Sequence, residues 1–380
     1  MIENKDRFDD YKYLSDEKID GAIREATERV KKNIPYFNGM FPPEASCNNF
    51  YSRTENISWT EGFYVGVLWL CYELTGDKVF REAAEGYFDS FKERIEQKNN
   101  TDNHDLGFLY ILSCVAQYKI TGEEKAKNVA LIAADGLKNR FQEVGKFIQA
   151  WGKMGDEVNY RLIIDCLLNI PLLYWAYTET GNEEYKRIAD EHFNTTLNVI
   201  IREDGSTYHT FFFDKKDGSA KCGKTHQGFS DESAWARGQA WGIYGIVLNH
   251  IYNKFDVIPT WFKVTDYYLN NLPEDKIAYW DLEFKDGKQP RDTSSNVIAV
   301  CGILEAYNQK FCSDEYVKAA KSIMNIIIDK YTTKNIPESN GLMTHSTYHC
   351  DNGFDECNIW GDYFYLEALM RLKRDWKMYW

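Results

Sequence analysis

Proline is scarce in this chain, at eight of 380 residues, and no Gly/Ser-rich or like-charged tract interrupts it. That composition excludes a disordered or low-complexity protein and leaves no visible linker. Residues 1–380 therefore read as one domain, a size that closed barrels of repeated units reach with a single core. No apolar run approaches the roughly 18–20 residues of a membrane span, and the first ten residues hold no apolar stretch of the signal-peptide kind. The expectation is a soluble, cytoplasmic protein. The nine cysteines are odd in number, scattered and free of any C-x-x-C pair, so they read as reduced thiols used as small core residues. A basic face is also missing. With a net charge of −13, nucleic acid and anionic membranes are poor partners, whereas a small acidic substrate needs only a few local cations. The chain has no Gly-rich phosphate loop, no Gly-x-Ser-x-Gly and no His-Glu-x-x-His, so nucleotide, serine-hydrolase and zincin chemistry have no anchor. His345, His349, Cys350 and Cys357 lie in a Gly- and Asn-rich stretch without helical patterning, which argues against a metal site. Neither a metal nor another cofactor is expected, and no pattern sets an oligomeric state.

What is abundant is aromatic surface: 16% Phe, Trp and Tyr, with 11 Trp and 26 Tyr. Such rings offer flat apolar faces for stacking on sugars, although a large helical core uses them too. Within this background Asp165 stands in the nearly apolar run Arg161 to Tyr177. Burial without partners drives a carboxylate to keep its proton, which moves it toward the range of a general acid. A capping or packing aspartate is the plainer alternative. Asn169 is a good N-cap and Pro171 fits a first turn, so a buried helix is expected just after Asp165.

Three turns share one pattern, Glu73-Leu74-Thr75-Gly76-Asp77, Lys119-Ile120-Thr121-Gly122-Glu123 and Glu179-Thr180-Gly181-Asn182-Glu183. Gly closes one helix in the left-handed conformation, and the residue after it opens the next. Helices before these turns are apolar all round, and those after them are amphipathic. The buried set starts near Trp59, His104, Asp165, Ser233, Ser294 and Ile359. An outer set covers 15–33, 77–96, 123–141, 183–201, 259–272 and 313–331. Six such pairs predict an all-α fold, the (α/α)6 barrel, with the inner helix N-termini converging on one mouth. Two β-hairpins are expected there, one over 204–213 with its turn at Asp217-Gly218, and one over 278–284 ending at Asp286-Gly287. The first carries His209 to the rim, where a solvated loop histidine is the alternative.

The mouth then collects Trp59, His104 with Asp105, Trp151, Asp165, Arg237, the run Arg291 to Asn296, and Asp362. Capping accounts for Asp292, Ser294 and Ser295 more readily than for Trp59, His104, Trp151 or Arg237. Asp105 and Asp165 fall on successive inner helices and are neighbours in a toroid. A helix N-terminus lowers a carboxylate pKa, but an ionised Asp105 can hold the proton on Asp165.

Asn103-His104-Asp105-Leu106-Gly107-Phe108, the run 164–176, Thr225-His226-Gln227-Gly228, the run 233–242, Arg291-Asp292-Thr293-Ser294-Ser295 and the run 358–369 resemble, in this order, the unsaturated glucuronyl hydrolases of glycoside hydrolase family 88. The resemblance covers nearly the whole chain, and it too implies the (α/α)6 barrel. It implies an enzyme that removes the 4,5-unsaturated uronic acid from the non-reducing end of lyase-generated glycosaminoglycan oligosaccharides, by hydrating the C4=C5 enol ether. By the same resemblance Asp165 donates the proton and activates water, and Asp105 is its charged partner. His104, His209, Gln227, Arg237 and Trp241 line the pocket, with Trp59 and Trp151 as stacking platforms. Arg237 has a planar fork suited to a uronate carboxylate, and Trp241 lies on the same helix face. Relatives that favour sulfated substrates resemble one another in Ser and Lys just before the segment matching Asn358-Ile359-Trp360-Gly361-Asp362. Here 346–353 has no lysine and an added Asp351, so weak sulfate recognition is expected at that loop.

Three rivals remain open on the residues. An unsaturated rhamnogalacturonyl hydrolase has the same barrel and step, an inverting glycosidase places two carboxylates about 6.5–9.5 Å apart, and a non-catalytic sugar-binding toroid has no use for the setting of Asp165.

Overall fold

The computed structural model describes every residue except Cys350. After a 3₁₀ segment at Lys5–Tyr13, α1 (Asp16–Phe37) leads into α2 (Glu61–Thr75). Next come α3 (Lys78–Gly86) and α4 (Phe88–Glu96), then an inner helix of α5 (Leu106–Tyr110), a π-turn at Ile111–Val115 and α6 (Ala116–Thr121). Helix α7 (Glu124–Lys138) is followed by β1 (Phe141–Gln142), β2 (Phe147–Ile148), β3 (Arg161–Ile163), α8 (Cys166–Asn169) and α9 (Pro171–Thr180). Then follow α10 (Glu183–Ile200), β4 (Thr210–Phe213), β5 (Ala220–Lys224), α11 (Ala236–Asn253), α12 (Ile258–Asn271), α13 (Thr293–Asn308) and α14 (Asp314–Lys330). The chain continues through β6 (Ser346–His349), β7 (Asn352–Glu356) and α15 (Ile359–Lys373).

The turn motif repeats atom for atom. Gly76, Gly122 and Gly181 take φ near +70°, at 72°, 74° and 70°, and each donates its N–H to the carbonyl four residues back, on Tyr72, Tyr118 and Tyr177. The preceding threonines, Thr75, Thr121 and Thr180, bond back to Cys71, Gln117 and Ala176 and accept from the next helix's first N–H groups, on Asp77, Glu123 and Asn182. A single Thr-Gly unit thus satisfies the end of an inner helix and the start of an outer one.

The inner helices contact one another in the order α2, α5, α8, α11, α13, α15 and back to α2, which closes the ring. Their burial matches the apolar pattern: α11 is buried from Ala236 to Asn249, and α13 from Thr293 to Ala306. The outer helices are amphipathic, burying residues such as Ile19, Ala22, Ala26 and Val30 of α1. All six pairs fall where the sequence pattern puts them. The second outer helix is divided at Tyr87.

Strands decorate the mouth. Strands β3, β4 and β5 form an antiparallel sheet in that order, pairing Arg161 with Phe212 and Phe212 with Cys222; β1–β2 and β6–β7 are two-stranded. The 204–213 hairpin is therefore shorter than its alternation suggests, and its first half is a turn held by Asp204. The segment 278–284 forms no hairpin; it contributes only the isolated bridges Trp235 to Asp281 and Tyr279 to Arg291. Tyr279 and Trp280 are buried, and Asp281 opens a tight turn of its own, its side chain accepting from Glu283 N and its carbonyl from Phe284 N while the carboxylate also accepts from Phe229 and Ser233.

Candidate active site

Asp165 is the residue just before the single turn α8, and Pro171 opens α9. Asn169 is not an N-cap as its type suggests. It ends α8, where Oδ1 accepts from Phe108 N at 2.8 Å and Nδ2 donates to Asp165 O at 3.1 Å, tying two inner helices together beneath the acid. Asp105 immediately precedes α5, with its N–H bonded to Asn103 Oδ1. These two segments are adjacent in the ring, so both carboxyls reach one point.

His104 stands between them. Its Nε2 lies 3.5 Å from Asp105 Oδ1 and 3.3 Å from Asp165 Oδ1, and the donor atoms of the three residues are within 4.8 Å of one another. Such a set has the chemistry to hold either a cation or a proton. Burial pushes the Asp165 carboxyl up to about 7, against the opposing pull of Arg237 and of the N–H groups of Asp165 and Cys166. Asp105 is raised well above the usual carboxylate range, by burial first and then by the charge of Asp165. Desolvation holds His104 well below its ordinary value, so the imidazole is neutral. Two buried acids side by side cannot both ionise cheaply, and the pair keeps one proton through neutrality. Arg237 favours the charged form of Asp165, and Arg94 and Arg140 favour that of Asp105, but in each case burial outweighs the cation.

The cavity above the pair encloses about 180 Å³, closer to one sugar ring than to the ~300–1,000 Å³ of pockets that take whole drug-sized ligands. It is lined by Trp59, His104, Asp105, Trp151, Asp165, His209, Gln227, Arg237 and Trp241, which are all nine residues singled out in the sequence. Ile163, His226, Trp235 and Tyr348 complete it. His226 adjoins Gln227 in a motif already noted, whereas Tyr348 arrives on β6 from far along the chain, without a local signal.

The walls are aromatic. Trp59 stacks on Trp360 at 5.0 Å, and Trp241 packs on Phe108 and Phe364 at the floor. His209 is buried against Trp235 at 4.3 Å, and its Nδ1 accepts from the N–H groups of His226 and Gln227. That pattern assigns the His209 proton to Nε2. Arg237 is 1% exposed and lies between the rings of Trp235 and Trp360. Its terminal nitrogens bond Asp292, Gln227 Oε1 and the carbonyls of Thr347 and Tyr348. The guanidinium therefore brings positive charge to the pocket, but its fork is already engaged.

Other mouth acids are committed elsewhere. Glu61 pairs with Arg94, Asp292 with Arg237, and Asp362 accepts from Leu342, Met343 and Tyr51. The proposed capping role of Asp292 is thereby replaced by ion pairing and by Ser294 Oγ. In the stretch weighed for zinc, His345 pairs with Asp355 and the Cys357 thiol bonds Asn49, while Cys350 lies outside the described residues. A larger groove of about 520 Å³ between α1 and 332–342 holds no carboxylate pair of this kind, and its Arg29 is taken up by the carbonyls of Thr333, Ile336 and Ser339.

A toroid of helix pairs with two proton-sharing carboxyls under an aromatic-walled cavity defines a glycoside hydrolase of the (α/α)6 type. The chain belongs to Glycosyl Hydrolase Family 88, whose model matches residues 23–370, and its relatives set it among the unsaturated glucuronyl hydrolases. It is 46% identical over 387 residues to the unsaturated chondroitin disaccharide hydrolase of Streptococcus agalactiae serotype III, covering 100% of this chain and 97% of that one. The crystal structure of unsaturated glucuronyl hydrolase from Streptococcus agalactiae superimposes with a TM-score of 0.97 at 46% identity, covering 100% of this chain and 98% of the other. A mutant of that enzyme, complexed with dGlcA-GalNAc6S, gives a TM-score of 0.89 at 42% identity, over 100% of this chain and 97% of its own.

Proposed function

We propose that residues 1–380 act as one catalytic domain that hydrates the C4=C5 enol ether of the unsaturated uronate ending a lyase-generated glycosaminoglycan disaccharide. The observation that carries this is the Asp105–Asp165 pair, holding one proton under a cavity sized for a single ring. Asp165 gives its proton to C4, and oxocarbenium character develops at C5 and the ring oxygen. The remaining negative charge of the pair stabilises that cation. Asp165, now a carboxylate, takes a proton from water as its oxygen adds to C5. The C5 hemiketal then opens: C5 becomes a ketone, the ring oxygen becomes a hydroxyl on C1, and the C1 hemiacetal so formed breaks to an aldehyde and the free neighbouring sugar. One water is consumed, and the glycosidic carbon is never attacked directly.

The other residues have matching roles. Neutral His104 bridges the two acids and lets the proton redistribute. Trp59 and Trp151 offer stacking faces, Trp241 closes the floor, and His209, Gln227 and Arg237 give the uronate polar and positive surroundings. The eight described cysteines are free, in keeping with a cytoplasmic location, and no described helix is long and apolar enough to cross a membrane. The acidic net charge disfavours nucleic acid and suits a small oligosaccharide partner.

The test is loss of the ultraviolet absorbance of the unsaturated uronate when the protein meets lyase products of chondroitin, hyaluronan, heparin and rhamnogalacturonan. Consumption of the first three is expected. Turnover of the rhamnogalacturonan product alone would favour the pectin-directed alternative, and loss of none would overturn the hydration reading.

A further inference from the structure

Arg161 is a cation at the pocket rim with nothing to bind. On β3 it shares a face with Ile163, which lines the cavity, and stands one residue pair further out, ~7 Å along the strand. Its guanidinium carbon is 4.6 Å from the ring centroid of Trp151, a wall of the same cavity, and 5.1 Å from that of Phe212. None of its nitrogens makes a hydrogen bond or ion pair with any described residue, and its Nε is buried without a partner.

Neighbouring arginines are different. Arg237 spends its terminal nitrogens on four acceptors, and Arg140 bonds Asp102 and the carbonyls of Gln149 and Gly152. Desolvation lowers the Arg161 pKa. Aromatic faces offset part of the cost of a desolvated cation, but they leave its N–H groups unbonded. What remains fits an anion brought by the ligand. The β6–β7 rim is acidic, carrying Asp351, Asp355 and Glu356, and its imidazoles His345 and His349 are paired with Asp355 and Asp351.

We propose that Arg161 is a specificity residue which binds an anionic group on the leaving side of the substrate, beyond the unsaturated uronate. This rests on the reading above, in which the uronate fills the cavity beside Asp105 and Asp165 with Trp151 as a stacking face; the next sugar is then placed toward the rim, where Arg161 lies over Trp151. The oxyanion is a sulfate on that sugar or the carboxylate of the following uronate in a longer oligosaccharide, and both match the planar fork of arginine. A clamp that only props Trp151 is the competing role.

The experiment compares Arg161→Gln and Arg161→Lys with the wild-type protein by ultraviolet loss, on unsulfated chondroitin disaccharide, its 4- and 6-sulfated forms, and the unsulfated tetrasaccharide. Arg161→Gln is expected to lower kcat/KM for at least one anion-bearing substrate about ten-fold more than for the unsulfated disaccharide, mainly through KM, as loss of a charged hydrogen bond requires. Arg161→Lys should restore part of that difference. A selective loss on the sulfated disaccharides identifies sulfate as the anion, and one confined to the tetrasaccharide identifies the carboxylate. Equal losses on all four substrates would overturn the proposal and leave Arg161 as a prop for Trp151. Failure of the wild-type protein to consume any of them would instead overturn the hydration reading, and this proposal with it.

Discussion

Asp165 concentrates the chemistry because its surroundings pull in two directions. Burial favours the neutral acid, and Arg237 with two backbone N–H groups favours the anion; burial wins, leaving the carboxyl near 7 rather than at its ordinary 3.8. A group so poised donates and recovers a proton at little cost near neutrality. Asp165→Asn keeps the shape and removes the proton, so kcat should fall by about 10²–10⁴-fold or more. The circular-dichroism spectrum and denaturant midpoint of that variant should match those of the unaltered protein. The pH profile follows from the same shift. The acid form is the active one, so activity should be lost as pH rises through about 7, ten-fold per unit above it, where an unperturbed aspartate would already be ionised at 4. A kcat/KM profile flat to pH 9 would assign the proton to another group. Residue types made this acid visible in the sequence, since a lone carboxylate in an apolar run demands an explanation. They could not show that the Arg237 fork is engaged, because its acceptors on Asp292, Thr347 and Tyr348 lie 55 to 111 positions away.

Among the elements, the inner helices approach each other more closely than ordinary side chains permit. A Cβ built on Gly107 would lie 2.3 Å from Asn169 Cα and 2.5 Å from Asn169 O, and one on Gly62 would lie 2.1 Å from Phe108 O. The first contact has backbone on its far side and cannot be relieved by a rotamer change. Gly107→Ala must therefore push α5 from α8, and overpacking of this kind costs about 1–3 kcal/mol or somewhat more. The displaced helix carries Asp105 and the other Asp165, so the variant should lose activity along with stability. Urea unfolding and the ultraviolet assay on the same preparation check both. The number and order of the helices were legible because each inner helix is apolar all round and each Thr-Gly turn carries its own bonding pattern. The seams were not, since a glycine in an apolar run looks the same whether it faces a helix or a void. Residues 278–284 misled for a related reason: the alternation of Trp280, Leu282 and Phe284 reflects burial of Trp280 and Leu282 and the packing of Trp280 on Phe284, not pairing in a ladder.

For the whole molecule, a ring of six inner helices leaves an axial channel that must be filled at one end if the other is to be a pocket. Phe108, Trp241 and Phe364 form the floor beneath the cavity, and below them the chain's own Trp380 is inserted. Its indole lies parallel to Phe364, at 5° and 6.0 Å, and donates to Glu367 Oε2 at 2.9 Å. Lys119 and Tyr252 donate to its carbonyl from two different inner helices. Glu367 also bonds Arg371 and Tyr244, so the plug ties α6, α11 and α15 into one buried polar cluster. Trp380→Ala removes a large, 2%-exposed side chain whose cavity cannot easily collapse, because rigid helices surround it. The expected cost is about 3–5 kcal/mol, read as a lower urea midpoint at an unchanged slope. The site lies on the far side of an aromatic layer, so KM should stay close to the unaltered value in the folded protein while stability falls. A KM that rose in step with the loss of stability would mean that the floor shifts with its plug, and that the barrel transmits strain along its axis rather than around its ring.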